Sequence, residues 1–144
     1  MTMLDKAPKF SNLKAVGLFA GIGGIELGLE SAGFENELLC EIDPGAQAVL
    51  KKAFPVAFHV ADVCSIKTLP KAHVVAAGFP CQDLSLVGSN QGIFGKRSGL
   101  VHEIFRLVES KRTSPDWLLL ENVPFMLRHK NGHAIRYVLS QLEA

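Results

Sequence analysis

Short unbroken apolar runs alternate along this chain with longer stretches in which apolar residues recur at helical spacing. AVGLF (15–19), ELLCEI (37–42), FHVADV (58–63), HVVAAGF (73–79) and DWLLLENV (116–123) hold few polar positions. Such runs predict strands buried on both faces rather than strands with one wet side. Between them, GGIELGLESAG (23–33), PGAQAVLKKAF (44–54), GLVHEIFRLVESKR (99–112) and HAIRYVLSQLEA (133–144) read as helices. Gly33 stops the first of these, Pro44 suits the first turn of the second, and the last runs to the chain end without a stop signal.

Strand and helix take turns throughout, which predicts an α/β fold with a doubly wound, mostly parallel sheet, helices on both faces and right-handed crossovers. No internal repeat, low-complexity tract or linker interrupts the pattern. Residues 1–12 read as a lead-in to the domain that begins at residue 13. The segment LSLVGSNQGIFGKRS (84–98) reads as a long glycine- and serine-bearing loop, of a length that often serves as an active-site lid.

Composition narrows the classes without choosing among them. A chain of 144 residues is one domain by length, and 48% hydrophobic with 20% charged residues is far from a disordered composition. The net charge of +1 gives no overall basic field for nucleic acid. Lys111-Arg112 and Arg128-His129-Lys130 read as solvated faces, whereas Lys96-Arg97 stands out by its place in the glycine-rich loop. Cys40, Cys64 and Cys81 are odd in number and too widely spaced for a metal knuckle or redox pair, which predicts a reducing compartment and no metal. His129 and His133 alone do not make a zinc site. His59, His73 and His102 show no evident partners, and Trp117 and the phenylalanines are expected in the core. The N-terminal apolar stretch is broken by glycines and Glu26, so it reads neither as a signal peptide nor as a membrane span. A cytoplasmic protein is expected.

In doubly wound sheets ligands bind beyond the carboxyl ends of the strands, and the polar candidates fall there. FAGIGG follows the first strand, where Gly21, Gly23 and Gly24 permit a tight turn and close approach of a ligand; glycines in such a turn serve chain reversal as readily. Glu26 replaces the third glycine of a dinucleotide fingerprint, which leans away from NAD. Glu41, 18 positions after Gly23, is placed either to bind ribose hydroxyls or to cap the helix at Pro44. Asp62 is placed either to accept from an adenine amino group or to cap a turn. Cys81, behind Pro80 and the fourth strand, is an apolar filler, half of a pair, or a nucleophile held on a stiff backbone. Glu121 emerges from LLL, where partial desolvation is expected to push its carboxyl pKa upward.

LFAGIGGIELGLESAGF, EIDP, ADV, GFPCQDLS and GKRSGLVHEIFRLVESKRTSPDWLLLENV, in this order from about residue 13 to 127, together resemble the C5-cytosine-specific DNA methyltransferase family. The resemblance implies a Rossmann-like, S-adenosylmethionine-dependent fold and decides for Cys81 as the nucleophile. It implies that Cys81 and Glu121 are the catalytic pair. Phe19, Ala20, Gly21, Gly23, Gly24, Glu41, Ile42, Asp62, Val63 and Leu100 would hold the cofactor. Pro80, Gln82, Lys96, Arg97 and Asn122 would meet a cytosine flipped from double-stranded DNA. The family continues into a basic segment, a target-recognition domain and a closing helix not found in these 144 residues. The expectation is therefore residues 13–144 as the N-terminal catalytic portion: a gene fragment, a truncated chain, or one subunit of a split enzyme whose second polypeptide carries target recognition, inactive or nearly so by itself. Transfer RNA methylation, an NAD(P)-binding oxidoreductase domain and a non-catalytic relic are the alternatives.

Overall fold

The computed structural model describes residues 12–80, 99–110, 114–128 and 132–143. Five strands, β1 (Leu13–Leu18), β2 (Phe34–Cys40), β3 (Phe58–Val60), β4 (Val74–Gly78) and β5 (Trp117–Glu121), form one sheet in the order β3-β2-β1-β4-β5. Every pairing is parallel. The helices α1 (Gly24–Ser31), α2 (Pro44–Ala53), α3 (Gly99–Val108) and α4 (His133–Leu142) lie between or after the strands as the alternation predicts.

The period of two in the strands sorts their side chains onto two faces. Val16, Leu18, Leu38, Cys40, Val75, Ala77 and Phe79 join Val101, Ile104, Phe105 and Leu107 of α3 and Ala134 and Val138 of α4 in one core. Leu39 points the other way, into a second cluster with Leu50 and Phe54 beneath α2. This two-sided burial is why β1 and β4 read as unbroken apolar runs. After β3 the chain crosses from one side of β1 to the other, where β4 pairs, so the sheet's switch point lies between the carboxyl ends of β1 and β4.

Several boundaries and two assignments differ from expectation. β2 begins at Phe34, directly after Gly33, because its polar start pairs with Leu13–Ala15 at the amino end of β1. Helix α3 ends at Val108 rather than residue 112. Trp117 is 73% exposed and Phe58 67% exposed, against the expectation of burial. Both stand on outer strands, β5 and β3, and neither belongs to the buried clusters; Phe54, Phe79 and Phe105 are the core phenylalanines among the described residues. His59 and His73 also have partners: His73 Nδ1 accepts from the Lys14 N–H at 3.0 Å, and His59 Nε2 lies 3.0 Å from the Phe54 carbonyl. No helix among the described residues is long and apolar enough to cross a membrane.

Candidate active site

The turn after β1 is built from left-handed backbone. Phe19 takes φ 56°, uncommon for a residue with a side chain, and Gly21 and Gly23 follow at φ 56° and 91°. Gly23 caps α1 without a side-chain bond. The two glycines serve different needs. A Cβ at Gly21 would meet nothing within 4 Å, whereas one at Gly23 would sit 2.6 Å from the Phe54 ring and 2.9 Å from Leu50. Gly23 thus lets α1 and α2 pack, while Gly21 and Gly24 leave open space beside the backbone.

Glu26 turns inward from the first turn of α1. It is 2% exposed, and burial pushes its carboxyl pKa up. Its Oε1 lies 2.3 Å from where a Cβ on Gly17 would be. The glycine that permits close helix–strand approach is therefore on the strand, at 17, instead of at the third position of a dinucleotide fingerprint. Asn36 Nδ2 donates to the Glu26 carbonyl at 3.2 Å; its Oδ1 is buried without a partner among the described residues.

Beyond β2, Glu41 Oε2 accepts the Gly21 N–H and Oε1 accepts the Asp43 N–H, each at 2.8 Å. The helix-capping alternative for Glu41 falls to its neighbour: Asp43 Oδ1 accepts from the Ala46 N–H at 2.8 Å at the start of α2. Glu41 instead ties the glycine turn to the end of β2 and retains acceptor capacity on both oxygens. Asp62 does cap a turn, the 3₁₀ segment Val63–Ser65, by accepting from the Cys64 N–H at 2.9 Å. A second carboxylate oxygen remains for another donor.

These pieces line one cleft, bounded by Phe19, Cys40, Glu41, Ile42, Ala61, Asp62, Val63, Pro80 and Leu100. Ile42 is 72% exposed at the rim. Cys40 lines the cleft from the core side, and its thiol is pushed up to about 12 by burial first and then by the charges of Glu41 and Asp62. It is an apolar filler in the sense considered for Cys81.

On the other side of the switch point, β4 and β5 run in register to their ends, where Gly78 pairs with Glu121. A Cβ on Gly78 would stand 3.4 Å from Glu121 Oε2 and 3.7 Å from the Phe19 carbonyl oxygen. One residue further, Asn122 Nδ2 donates to the Phe79 carbonyl at 2.8 Å. The carboxyl of Glu121, the glycine turn and the GFP segment thus share one edge.

The model of the C-5 cytosine-specific DNA methylase family matches residues 13–144. This chain belongs to that family. It is 52% identical over 132 residues to the type II methyltransferase M2.BsuMI of Bacillus subtilis, covering 90% of this chain and 34% of that protein. It is 35% identical over 135 residues to M.HhaI of Haemophilus parahaemolyticus, covering 92% of this chain and 40% of that protein. Among solved structures, a candidate DNA modification methyltransferase from an Escherichia coli prophage superposes with a TM-score of 0.71 at 27% identity, over 92% of this chain and 38% of that one. Spodoptera frugiperda DNMT2 superposes with a TM-score of 0.68 at 19% identity, over 92% of this chain and 41% of that one, which speaks to the fold. The chain spans between about a third and two fifths of the length of these relatives.

Of the residues named as site candidates, Phe19, Glu41, Ile42, Asp62, Val63, Pro80 and Leu100 all line the one cleft. Ala20 instead packs against the cluster beneath α2, and Gly23 is taken up by packing. Asn122 is engaged with backbone: besides Phe79, its Oδ1 accepts the Val123 N–H at 2.9 Å. Glu121 is exposed, so the expected desolvation does not hold among the described residues; β5 is the outermost strand, and of its residues Leu118 and Leu120 pack on the core. Cys40 and Ala61 also line the cleft, although nothing in the sequence pattern singled them out as site residues. Their position beside Glu41 and Asp62 at strand ends was the available signal. Cys81, Gln82, Lys96 and Arg97 lie outside the described residues, as do His129 and the side chain of His133. No group of three potential metal ligands occurs among the described residues.

Proposed function

We propose that this chain is the cofactor-binding and nucleophile-bearing part of a DNA (cytosine-5)-methyltransferase. The observation that carries the reading is the register pair Gly78–Glu121: it sets a carboxyl beside the glycine turn, level with the strand residue that comes three positions before Cys81. The residues of the cleft fit S-adenosylmethionine. Glu41 offers two acceptors to ribose hydroxyls, Asp62 offers one to an adenine amino group, Phe19, Ile42, Val63, Pro80 and Leu100 supply apolar walls, and Gly21 leaves backbone open. The bound cofactor supplies an electrophilic methyl group.

The protein's own residues make cytosine reactive enough to accept it. Carbon 5 of cytosine is a poor nucleophile, so the Cys81 thiolate adds at carbon 6 and the ring's electrons move to make carbon 5 enamine-like. Glu121, open to solvent at the end of β5, holds ring N3 and relays a solvent proton to it as negative charge would otherwise build there. After transfer, water takes the carbon 5 proton, the carbon 6–sulfur bond breaks to release the thiolate, and N3 returns its proton to Glu121. A base inside a duplex cannot be attacked in this way, so the cytosine is flipped into the site, where Gln82, Lys96 and Arg97 join Cys81 and Glu121 in meeting it. The partners are double-stranded DNA and the remaining length of the family's fold, target recognition included, on the same or a second polypeptide. The setting is restriction and modification in a bacterial cytoplasm or nucleoid.

The test is to mix the chain, with and without a polypeptide supplying the downstream length, with S-adenosylmethionine and DNA containing 5-fluorocytosine, which lacks the carbon 5 proton needed for release. A gel-stable adduct lost in Cys81→Ser is expected. Cofactor binding with no adduct after complementation removes Cys81 from its role. Titration with NADH giving tight binding, and none with S-adenosylmethionine, overturns the whole reading.

A further inference from the structure

We infer that Asn122 is a positioning residue that sets the direction in which the chain leaves β4 toward Cys81. The ladder between β4 and β5 ends at Gly78 and Glu121. At the next step a side chain stands in for the ladder: Asn122 Nδ2 donates to the Phe79 carbonyl at 2.8 Å. The amide is itself held, because its Oδ1 accepts the Val123 N–H at 2.9 Å, so the plane of the carboxamide is fixed from both ends.

The acceptor is the carbonyl of the Phe79–Pro80 peptide. Phe79 is 4% exposed with its side chain in the main core, which anchors the same residue. Pro80 contributes no N–H and a fixed φ, so strand pairing cannot orient this segment and few rotations remain after it. A buried ring, a hydrogen-bonded carbonyl and a proline ring therefore define the backbone just before the sulfur-bearing residue. Asparagine is suited to this: aspartate of the same size would still accept from Val123 but would turn a carboxylate oxygen on the Phe79 carbonyl in place of a donor.

The inference rests on the role proposed for Cys81, and its test is separable from it. In the chain alone, iodoacetamide labelling is followed at each cysteine by peptide mass analysis. Exposed Cys64 serves as the reference thiol, and buried Cys40 reports any loss of the fold. In Asn122→Asp and Asn122→Ala, Cys81 labelling relative to Cys64 should rise at least about threefold while Cys40 stays protected, because the Phe79–Pro80 peptide that leads to it is no longer held. With the downstream polypeptide, 5-fluorocytosine DNA and saturating S-adenosylmethionine, adduct formation in both variants should fall about a hundredfold, the scale of an ångström-sized misplacement. A labelling ratio within about twofold of the unsubstituted chain overturns the inference. Labelling of Cys40 in both variants also overturns it, in favour of a general structural role. No adduct in the unsubstituted, complemented chain instead sinks the proposed function and leaves the labelling result to decide this one.

Discussion

The carboxyl of Glu26 fills the space that a side chain at Gly17 would need, with Oε1 only 2.3 Å from that Cβ position. Helix α1 can lie close on β1 because the strand yields room at 17 and the helix supplies a buried acid at 26. Gly17→Ala should therefore destabilise the fold by about 1–3 kcal/mol through overpacking, read as a lower urea midpoint. Shortening the acid in Gly17→Ala/Glu26→Ala should recover part of that loss. Strictly additive effects of the two substitutions would contradict the contact.

The same acid makes stability depend on pH. Burial raises the folded-state pKa of Glu26 above its ordinary 4.5, so the folded protein holds a proton that the unfolded chain releases. The associated stability is fully present below the ordinary carboxylate value and is lost as pH rises through the raised one. The urea midpoint should accordingly decline as pH climbs upward from about 4.5 in this chain and stay flatter in Glu26→Gln.

Gly21 and Gly23 both have positive φ, so alanine at either should cost about 1–2 kcal/mol for the left-handed backbone. Only at Gly23 does the new methyl also strike Phe54 and Leu50. Gly23→Ala should thus lose markedly more stability than Gly21→Ala in urea unfolding. Gly21→Ala should instead show its main effect in calorimetry, as weaker S-adenosylmethionine binding, since its methyl points into open space beside the cleft.

The described cysteines should differ in reactivity. Cys40, buried and with its thiol pushed up to about 12, should resist iodoacetamide until the protein unfolds. Exposed Cys64 should react, though more slowly than an unhindered thiol, because burial and then the Asp62 carboxylate raise its pKa. Asp62→Asn keeps an acceptor for the Cys64 N–H and removes the charge, so it should speed labelling of Cys64 at about pH 8, just below the ordinary thiol pKa. An unchanged rate would show that Asp62 does not act on the thiol.

Much of the site was legible because strand ends are legible. Once β1, β2, β3 and β4 are placed, a parallel doubly wound sheet brings Phe19, Glu41, Asp62 and Pro80 to one edge, and they do line one cleft. What each polar group bonds to was not legible. Glu41 and Asp43 are two residues apart and chemically alike, yet one holds the glycine turn and the other caps α2. That choice depends on where the Gly21 N–H points, which is a property of the folded turn.

The amino-acid order alone determined the alternation of elements, the parallel sheet and the family, because periodicity and motif order are local properties that survive without coordinates. Tertiary structure decided which glycine opens space and which relieves a clash, that Glu26 is buried against Gly17, that Trp117 is left outside, and that Asn122 grips Phe79. Most of these depend on the distance between residues far apart in the chain, and packing sets such distances only once the sheet has formed.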